Sequence, residues 1–325
     1  MVTAFSKTSS LASRIATSAL RIPPSIFPIP GWFPVVVERL HPSIAGERSS
    51  AEVVTHGVRM RLDLRDYIQL RIYYESHEPH QLAFFERFLR KGDIVLDVGA
   101  HVGIFTLVSA LSVGGEGEVH CFEPVPANFE ALSRNVELNG FDNVVLNRAA
   151  VGAEPGQARL GLPEGAAGLG GETSAMYTVG GLANSVSARI VTLDDYVSDR
   201  LPGRPVRLLK LDVEGLEPAA LQGFASRLAE SPPDAVVLEV NLELLNRHEF
   251  TGQELLGALR EYGYSFFQPT ARGRLKTFEP QIPDAFDSAR DVPEQAPGPL
   301  GWLRRYQAES RIFFNLFAVQ SHAQA

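Results

Sequence analysis

Apolar positions along the chain change rhythm near residue 94. Before it, Val53 to Leu64 alternates weakly around Gly57, the pattern of a small hairpin. Gln81 to Arg90 places Leu82, Phe85 and Leu89 on one helical face. From Ile94 onward, short apolar runs alternate with helical stretches. Ile94–Val98, Glu118–Phe122, Val144–Val151, Val206–Val213, Ala235–Val240, Tyr264–Phe267 and Ile312–Val319 are predicted as strands. Ile104–Val113, Pro126–Leu138, Glu217–Leu228 and Gly252–Tyr262 are predicted as helices between them. Such alternation predicts a parallel α/β sheet with helices on both faces.

Two stretches interrupt the alternation. Gly161 to Gly181 holds seven glycines in twenty-one residues, and Pro269 to Pro299 holds six prolines. Both are expected to be insertions, near 161–185 and 269–309, of the kind that serve as lids or substrate loops. The start of the chain is different again. Residues 1–37 carry no acid, Thr8 to Arg21 is loosely amphipathic, and Ile22 to Pro34 holds five prolines in thirteen residues. This reads as a frayed helix or membrane-brushing tail, rather than an organelle transit peptide, followed by an extended linker. The expected organisation is an N-terminal extension over 1–50, a hairpin-plus-helix lead-in over 51–90, and a main domain over 91–320.

Composition narrows the function. Thirty basic residues against thirty-eight acidic ones give a net charge of −8. That disfavours non-specific binding to nucleic acid or to anionic membranes. The one cysteine, Cys121, can form neither an internal disulfide nor a cysteine-rich zinc site, and points to a reducing, cytoplasmic setting. No run of 18 apolar residues is present, so no transmembrane helix is expected.

The chemistry concentrates at strand ends. Asp97-Val98-Gly99-Ala100-His101-Val102-Gly103 joins a strand to a helix. Glycines there let the backbone turn tightly and approach a ligand, and the helix beyond offers unpaired amides. Glu123 ends the next strand, twenty residues after Gly103, where an acid accepts hydrogen bonds from both hydroxyls of a ribose. Together the two features predict a nucleoside-binding crevice. The G-x-x-x-G spacing of Gly99 and Gly103 departs from the dinucleotide fingerprint and suits S-adenosylmethionine, which has no pyrophosphate to cradle.

Five motifs in order then carry a resemblance: DIVLDVGAHVGIFTL, CFEPVPANFEALSRNVELNG, VTLDDYV, LLKLDVEGLEPAALQG and VVLEV. From about Val53 to Val319 the chain resembles the FkbM family of S-adenosylmethionine-dependent methyltransferases. The resemblance implies a Rossmann-like, seven-stranded class I methyltransferase sheet and O-methylation of a sugar or natural product. It also implies that Asp97, Gly99, Ala100, His101 and Gly103 line the cofactor, that Glu123 binds the ribose, and that Pro124 shapes the strand end. His101 stands where the family usually has asparagine. No acid follows the third strand (Arg148, Ala149, Ala150), which leaves adenine to backbone and apolar contacts, or to Asp142.

Lys210-Leu211-Asp212-Val213-Glu214-Gly215 ends another strand at the same edge. Methyl transfer needs an aligned nucleophile, and a hydroxyl nucleophile needs a base or a metal. Asp212 and Glu214 are the candidates for orienting the acceptor and taking its proton. For Glu214 the alternative is a helix N-terminal carboxylate. Glu239, inside the apolar run Val236–Val240, is expected to touch substrate or to sit in a buried ion pair. A magnesium-like cation on Asp212, Glu214 and Glu239 is possible but not favoured, and the site is expected to work without one.

Weaker candidates have ordinary roles. His248 is a possible base but more simply a solvated histidine. Asp194 and Asp195 are expected to cap the helix that follows them. Phe266, Phe267, Phe313 and Phe314 fit core strands, and Trp302–Tyr306 could line an acceptor pocket. The expected partner is a small-molecule or glycan acceptor. The rival functions are a nicotinamide-dependent oxidoreductase and a non-catalytic nucleoside-binding module. Nucleic-acid methylation is disfavoured by the charge and by the absence of an Asn-Pro-Pro-aromatic motif.

Overall fold

The computed structural model describes residues 50–161, 176–177, 185–280, 282 and 313–323. The expected N-terminal helix and linker, most of both insertions, and Trp302–Tyr306 lie outside the described residues. The chain divides between Pro79 and His80 into two compact units.

The first unit pairs β1 (Ser50–Thr55) with β2 (Val58–Asp63) as the expected antiparallel hairpin. His56 and Gly57 both take positive φ, 47° and 77°, as a two-residue turn that follows strand twist requires. Val53, Val58, Met60 and Leu62 are its buried face. A short helix, α1 (Tyr67–Tyr73), follows, with Asp66 accepting from the Gln69 amide as its N-cap. Seven residues are too few for a helical period to stand out in the sequence.

The second unit begins with all but the first residue of α2 (Pro79–Phe88). Then come β3 (Ile94–Val98), α3 (Ile104–Val113), β4 (Glu118–Phe122), α4 (Pro126–Asn139) and β5 (Val144–Asn147). Four short strands follow: β6 (Ala150–Val151), β7 (Gly156–Gly161), β8 (Met176–Tyr177) and β9 (Ser185–Val191). The remainder is α5 (Leu193–Arg200), β10 (Leu208–Leu211), α6 (Glu217–Gln222), α7 (Ala225–Glu230), β11 (Ala235–Asn241), α8 (Leu242–Arg247), α9 (Gly252–Glu261), β12 (Tyr264–Pro269), β13 (Leu275–Thr277) and β14 (Phe313–Gln320).

The main sheet runs β13-β12-β14-β11-β10-β3-β4-β5. β11, β10, β3, β4 and β5 are parallel, and β14 lies antiparallel between β11 and β12. Without β13 this is the seven-stranded class I methyltransferase sheet that the resemblance implies. β13, inside the stretch read as a proline-rich insertion, adds an eighth strand by pairing with β12.

Two predicted elements are split. Val144–Val151 is not one strand. β5 ends at Asn147, and Ala150–Val151 joins a second sheet of order β6-β9-β7-β8. Asn147 helps to end the edge strand by donating to the Cys121 carbonyl and the Tyr196 hydroxyl. The helix expected over Glu217–Leu228 breaks at Gly223, where a Cβ would lie 2.1 Å from the Gly152 carbonyl oxygen. Asp194 does not cap its own helix, because Thr192 does so. The Asp194 carboxylate instead accepts from the Ser226 and Arg227 amides, both at 2.9 Å, at the start of α7.

The two sheet faces differ. One packs Leu96, Val98, Phe122, Leu209, Leu211 and Leu238 against Val197, Phe224 and Leu259 in a continuous apolar core. On the other, strand register places Asp97, Lys210 and Val237 in one row. α2 and α3 meet through Phe85 and Phe105, ring centroids 5.0 Å apart. Phe84 packs edge-on to Phe317 of β14. Among the described residues no helix is long and apolar enough to cross a membrane.

Candidate active site at the carboxyl edge of the sheet

The loop after β3 is a backbone cradle. The Gly99 and Ala100 amides both donate to the Phe122 carbonyl at 3.0 Å, which ties the turn to the end of β4. Gly99, His101 and Gly103 take φ of 81°, 51° and 99°. At Gly99 a Cβ would lie 1.8 Å from the Asp212 carbonyl oxygen, and at Gly103 it would lie 2.5 Å from Leu132 Cδ1. Glycine is therefore required twice, by conformation and by space. Gly103 is the N-cap of α3 and supplies no side-chain oxygen to the amides of the first turn.

Glu123 is 4% exposed. Its Oε1 accepts from the Val125 amide at 2.9 Å and its Oε2 from the His101 amide at 2.8 Å. Asn128 also bonds the carboxylate, which keeps acceptor capacity for a ribose hydroxyl. Burial raises its pKa to about 7, against backbone donors, Asn128 and Lys210, which favour the anion. Pro124 follows half-buried, and Pro126 opens α4.

Lys210 is the hub beneath this cradle. Its ammonium donates to the Gly99 carbonyl and to Asp212 Oδ2, each at 3.2 Å, and lies 3.6 Å from Asp97 Oδ1. It also sits 5.2 Å from the centre of the Phe105 ring. Burial disfavours the charged form, but Asp212 and Asp97 outweigh it and the lysine pKa is raised. Asp97 is fully buried, and its other oxygen accepts from Thr106 Oγ1 at 2.5 Å. Lys210 pairs with the carboxylates around it, as lysines beside strand-end acids do.

Asp212 emerges at the edge with its side chain 37% exposed. Glu214, half-buried, takes φ 57°, and Gly215 φ 91°. A Cβ on Gly215 would lie 2.5 Å from the Leu244 backbone. The alternative considered for Glu214 falls to another residue. α6 starts at Glu217, which is the acid of its first turn. Glu217 is 1% exposed, and its Oε1 accepts from the Val213 amide at 3.0 Å and the Gly215 amide at 3.3 Å. Burial, with Asp212 adding to it, raises its pKa to about 7. In the sequence Glu217 does not stand out, because a glutamate opening an apolar helix looks like any solvated first-turn acid.

Glu239 lies half-buried one step along β11 from Leu238, the register partner of Leu211, so it is level with Asp212. Its charge acts on Lys210. Among the described residues no three His, Cys, Asp or Glu side chains converge closely enough to hold an ion, so Asp212, Glu214 and Glu239 do not form the cluster considered from sequence. His248 is partly solvated. It ends α8 half-buried, hydrogen-bonds the Glu214 backbone, and has its pKa lowered, chiefly by burial. Asp142 precedes β5 and so stands at the opposite sheet edge from Glu123, which rules it out as the adenine acid.

The residues fit a nucleoside that carries an amino acid through a sulfonium. The positive-φ glycines pack the Gly99–Gly103 turn against Asp212 and Leu132, Glu123 offers a buried acceptor for a ribose, and buried Asp97 and Lys210 hold the turn from beneath. The Methyltransferase FkbM domain profile matches residues 97–266. The 31-O-demethyl-FK506 methyltransferase FkbM of Streptomyces tacrolimicus is 30% identical over 205 residues, 54% of this chain and 74% of that protein. Methyltransferase 1 of Beauveria bassiana is 29% identical over 145 residues, 40% of this chain and 57% of that one. Among solved structures, the FkbM methyltransferase of Methylobacillus flagellatus is 15% identical, with a TM-score of 0.36 over 65% of this chain and 54% of that one. The chain belongs to the FkbM family of S-adenosylmethionine-dependent methyltransferases.

Proposed function

We propose that this methyltransferase methylates a hydroxyl group of a sugar or a secondary metabolite. One observation carries the reading. The carboxylate edge of β10 abuts the cofactor cradle, since the Asp212 backbone fills the space of a Gly99 side chain and Lys210 bonds to both residues. An acceptor bound at that edge stands beside the cofactor.

When bound, S-adenosylmethionine would supply an electrophilic methyl group on a sulfonium, with its neutral thioether, S-adenosylhomocysteine, as the leaving group when the C–S bond breaks in line with the new O–C bond. The protein has three tasks around that event. The Gly99–Gly103 turn, with Ala100 and His101, and the Glu123 carboxylate fix the nucleoside. Asp212, ion-paired with Lys210, accepts a hydrogen bond from the acceptor hydroxyl and holds its oxygen in line. Asp212 or Glu214 takes the hydroxyl proton as the new O–CH3 bond forms. Glu239, level with Asp212, extends the same acceptor edge.

The relative from Streptomyces tacrolimicus is named for an O-methylation, which supports a hydroxyl acceptor. The net charge of −8 disfavours a polyanionic one. The nicotinamide alternative lacks the third glycine of a dinucleotide turn. To test the reading, methyl-labelled S-adenosylmethionine is incubated with a panel of methyl glycosides and hydroxylated polyketides. The expected product is a base-stable methyl ether, formed about 100-fold or more slowly by Asp212→Asn. Label appearing only on nitrogen, on a carboxyl group or in nucleic acid would refute it.

A further inference from the structure

Glu217 is a buried carboxyl that the transfer step does not use. It is 1% exposed, and burying such a group is costly unless something is gained. Besides its own backbone amide, which favours the anion, its partners lie backwards, outside α6. Oε1 accepts from Val213 and Gly215, while Oε2 is buried with no hydrogen-bond partner. The carboxyl is therefore spent on the turn that joins β10 to α6.

That turn is strained. Glu214 is a non-glycine residue at φ 57°, a conformation that side chains disfavour and that persists only where the surroundings enforce it. Three groups enforce it here. Glu217 holds the amides on either side, the Leu244 backbone closes against Gly215, and His248 bonds the Glu214 backbone. Held strain of this kind collects where a side chain has to be aimed. The side chains aimed here are Asp212 and Glu214.

We propose that Glu217 is a positioning residue: its buried carboxyl oxygen holds the Asp212–Gly215 turn in its strained shape and so sets where Asp212 and Glu214 stand. This rests on the reading of that edge as the acceptor side. The acceptor oxygen, rather than the charge, performs the task, because a neutral amide oxygen can take both backbone donors equally well. Loss of the oxygen leaves two buried amides without a partner.

The test uses the full chain with Glu217→Gln, Glu217→Leu and Glu217→Asp, the last keeping the charge but withdrawing the oxygen by one methylene. Amide hydrogen exchange at Val213 and Gly215 is read by NMR, S-adenosylmethionine affinity by calorimetry, and turnover on the methyl glycoside panel. Leu and Asp should speed exchange at these two amides about ten-fold or more, relative to amides of β3 and β11. They should lower kcat by a similar factor and leave cofactor affinity within about three-fold, while Gln keeps wild-type values in all three. Wild-type exchange at both amides in folded Asp or Leu variants would overturn the proposal, and so would a Gln variant that behaves like Leu. Asp212→Ala in the otherwise wild-type chain separates the two ideas. Undiminished turnover there would overturn the acceptor-edge reading and the positioning role with it, whatever the exchange rates show.

Discussion

The carbonyl oxygen of Asp212 occupies the place a Gly99 side chain would take, 1.8 Å from an ideal Cβ. The ends of β3 and β10 are thus locked together at the carboxyl edge of the sheet, where cofactor and acceptor are proposed to meet. Gly99→Ala should destabilise the protein by about 3 kcal/mol or more, because positive φ and a backbone clash add. Gly92 has φ 86° with nothing within 4 Å of its Cβ position, and Gly92→Ala should cost only about 1–2 kcal/mol. Thermal unfolding of the pair measures the difference.

Lys210 and Asp97 form a second test. Both are buried, so Lys210→Met strands a carboxylate and should cost about 3–5 kcal/mol. Asp97→Asn in the same chain should recover part of that loss. A double-mutant cycle by denaturant unfolding reads the coupling, and strict additivity would mean that the two charges do not interact.

Strain at Glu214 predicts a trade between stability and activity. Glu214→Gly relieves the positive φ and should raise unfolding stability by about 0.5–1 kcal/mol. It should also lower methyl transfer, because the aimed carboxylate is gone. Denaturation midpoints and turnover of the same preparation check both halves. A variant that gains no stability would argue that the turn is relaxed.

The raised carboxyls make two pH predictions. The folded pKa values of Glu123 and Glu217 stand at about 7 against an ordinary 4.5, so the folded state favours their protonated forms. Their contribution to stability is complete below pH 4.5 and is lost as pH rises through 7. Glu217→Gln should therefore gain on the wild type at pH 8 by up to roughly 3 kcal/mol and gain nothing at pH 4.5. Cofactor binding should run the other way, since the proposed ribose contact has hydroxyls donating to the Glu123 anion. S-adenosylmethionine affinity should rise about ten-fold from pH 6 to pH 8, with proton release in calorimetry.

Much of this architecture is legible in the chain, for identifiable reasons. β3, α3 and β4 have the expected boundaries because short apolar runs end at Asp97-Val98-Gly99 and Phe122-Glu123, where the chain must turn. β5 and β6 read as one strand because Asn147 and Arg148 look like outward-facing residues of a continuous run, whereas the chain there leaves one sheet for another. α1 and α8, of seven and six residues, are too short to show a period. The pairing of β7 with β9 is hidden because it spans the glycine-rich stretch and depends on partners far apart in sequence. At the site, the glycine turn and Glu123 are visible because their spacing encodes backbone geometry. Glu217 and His248 are not, because their roles arise only when the Asp212–Gly215 turn folds against them.

Glu123 is the proposed anchor of the cofactor's ribose. Calorimetric titration of S-adenosylmethionine and, separately, NAD⁺ into the wild type and Glu123→Ala tests it. The prediction is binding of S-adenosylmethionine alone, weakened about 30-fold or more by loss of charge-assisted hydrogen bonding to the ribose. Binding of NAD⁺ in its place, or S-adenosylmethionine affinity unchanged in Glu123→Ala, would contradict it.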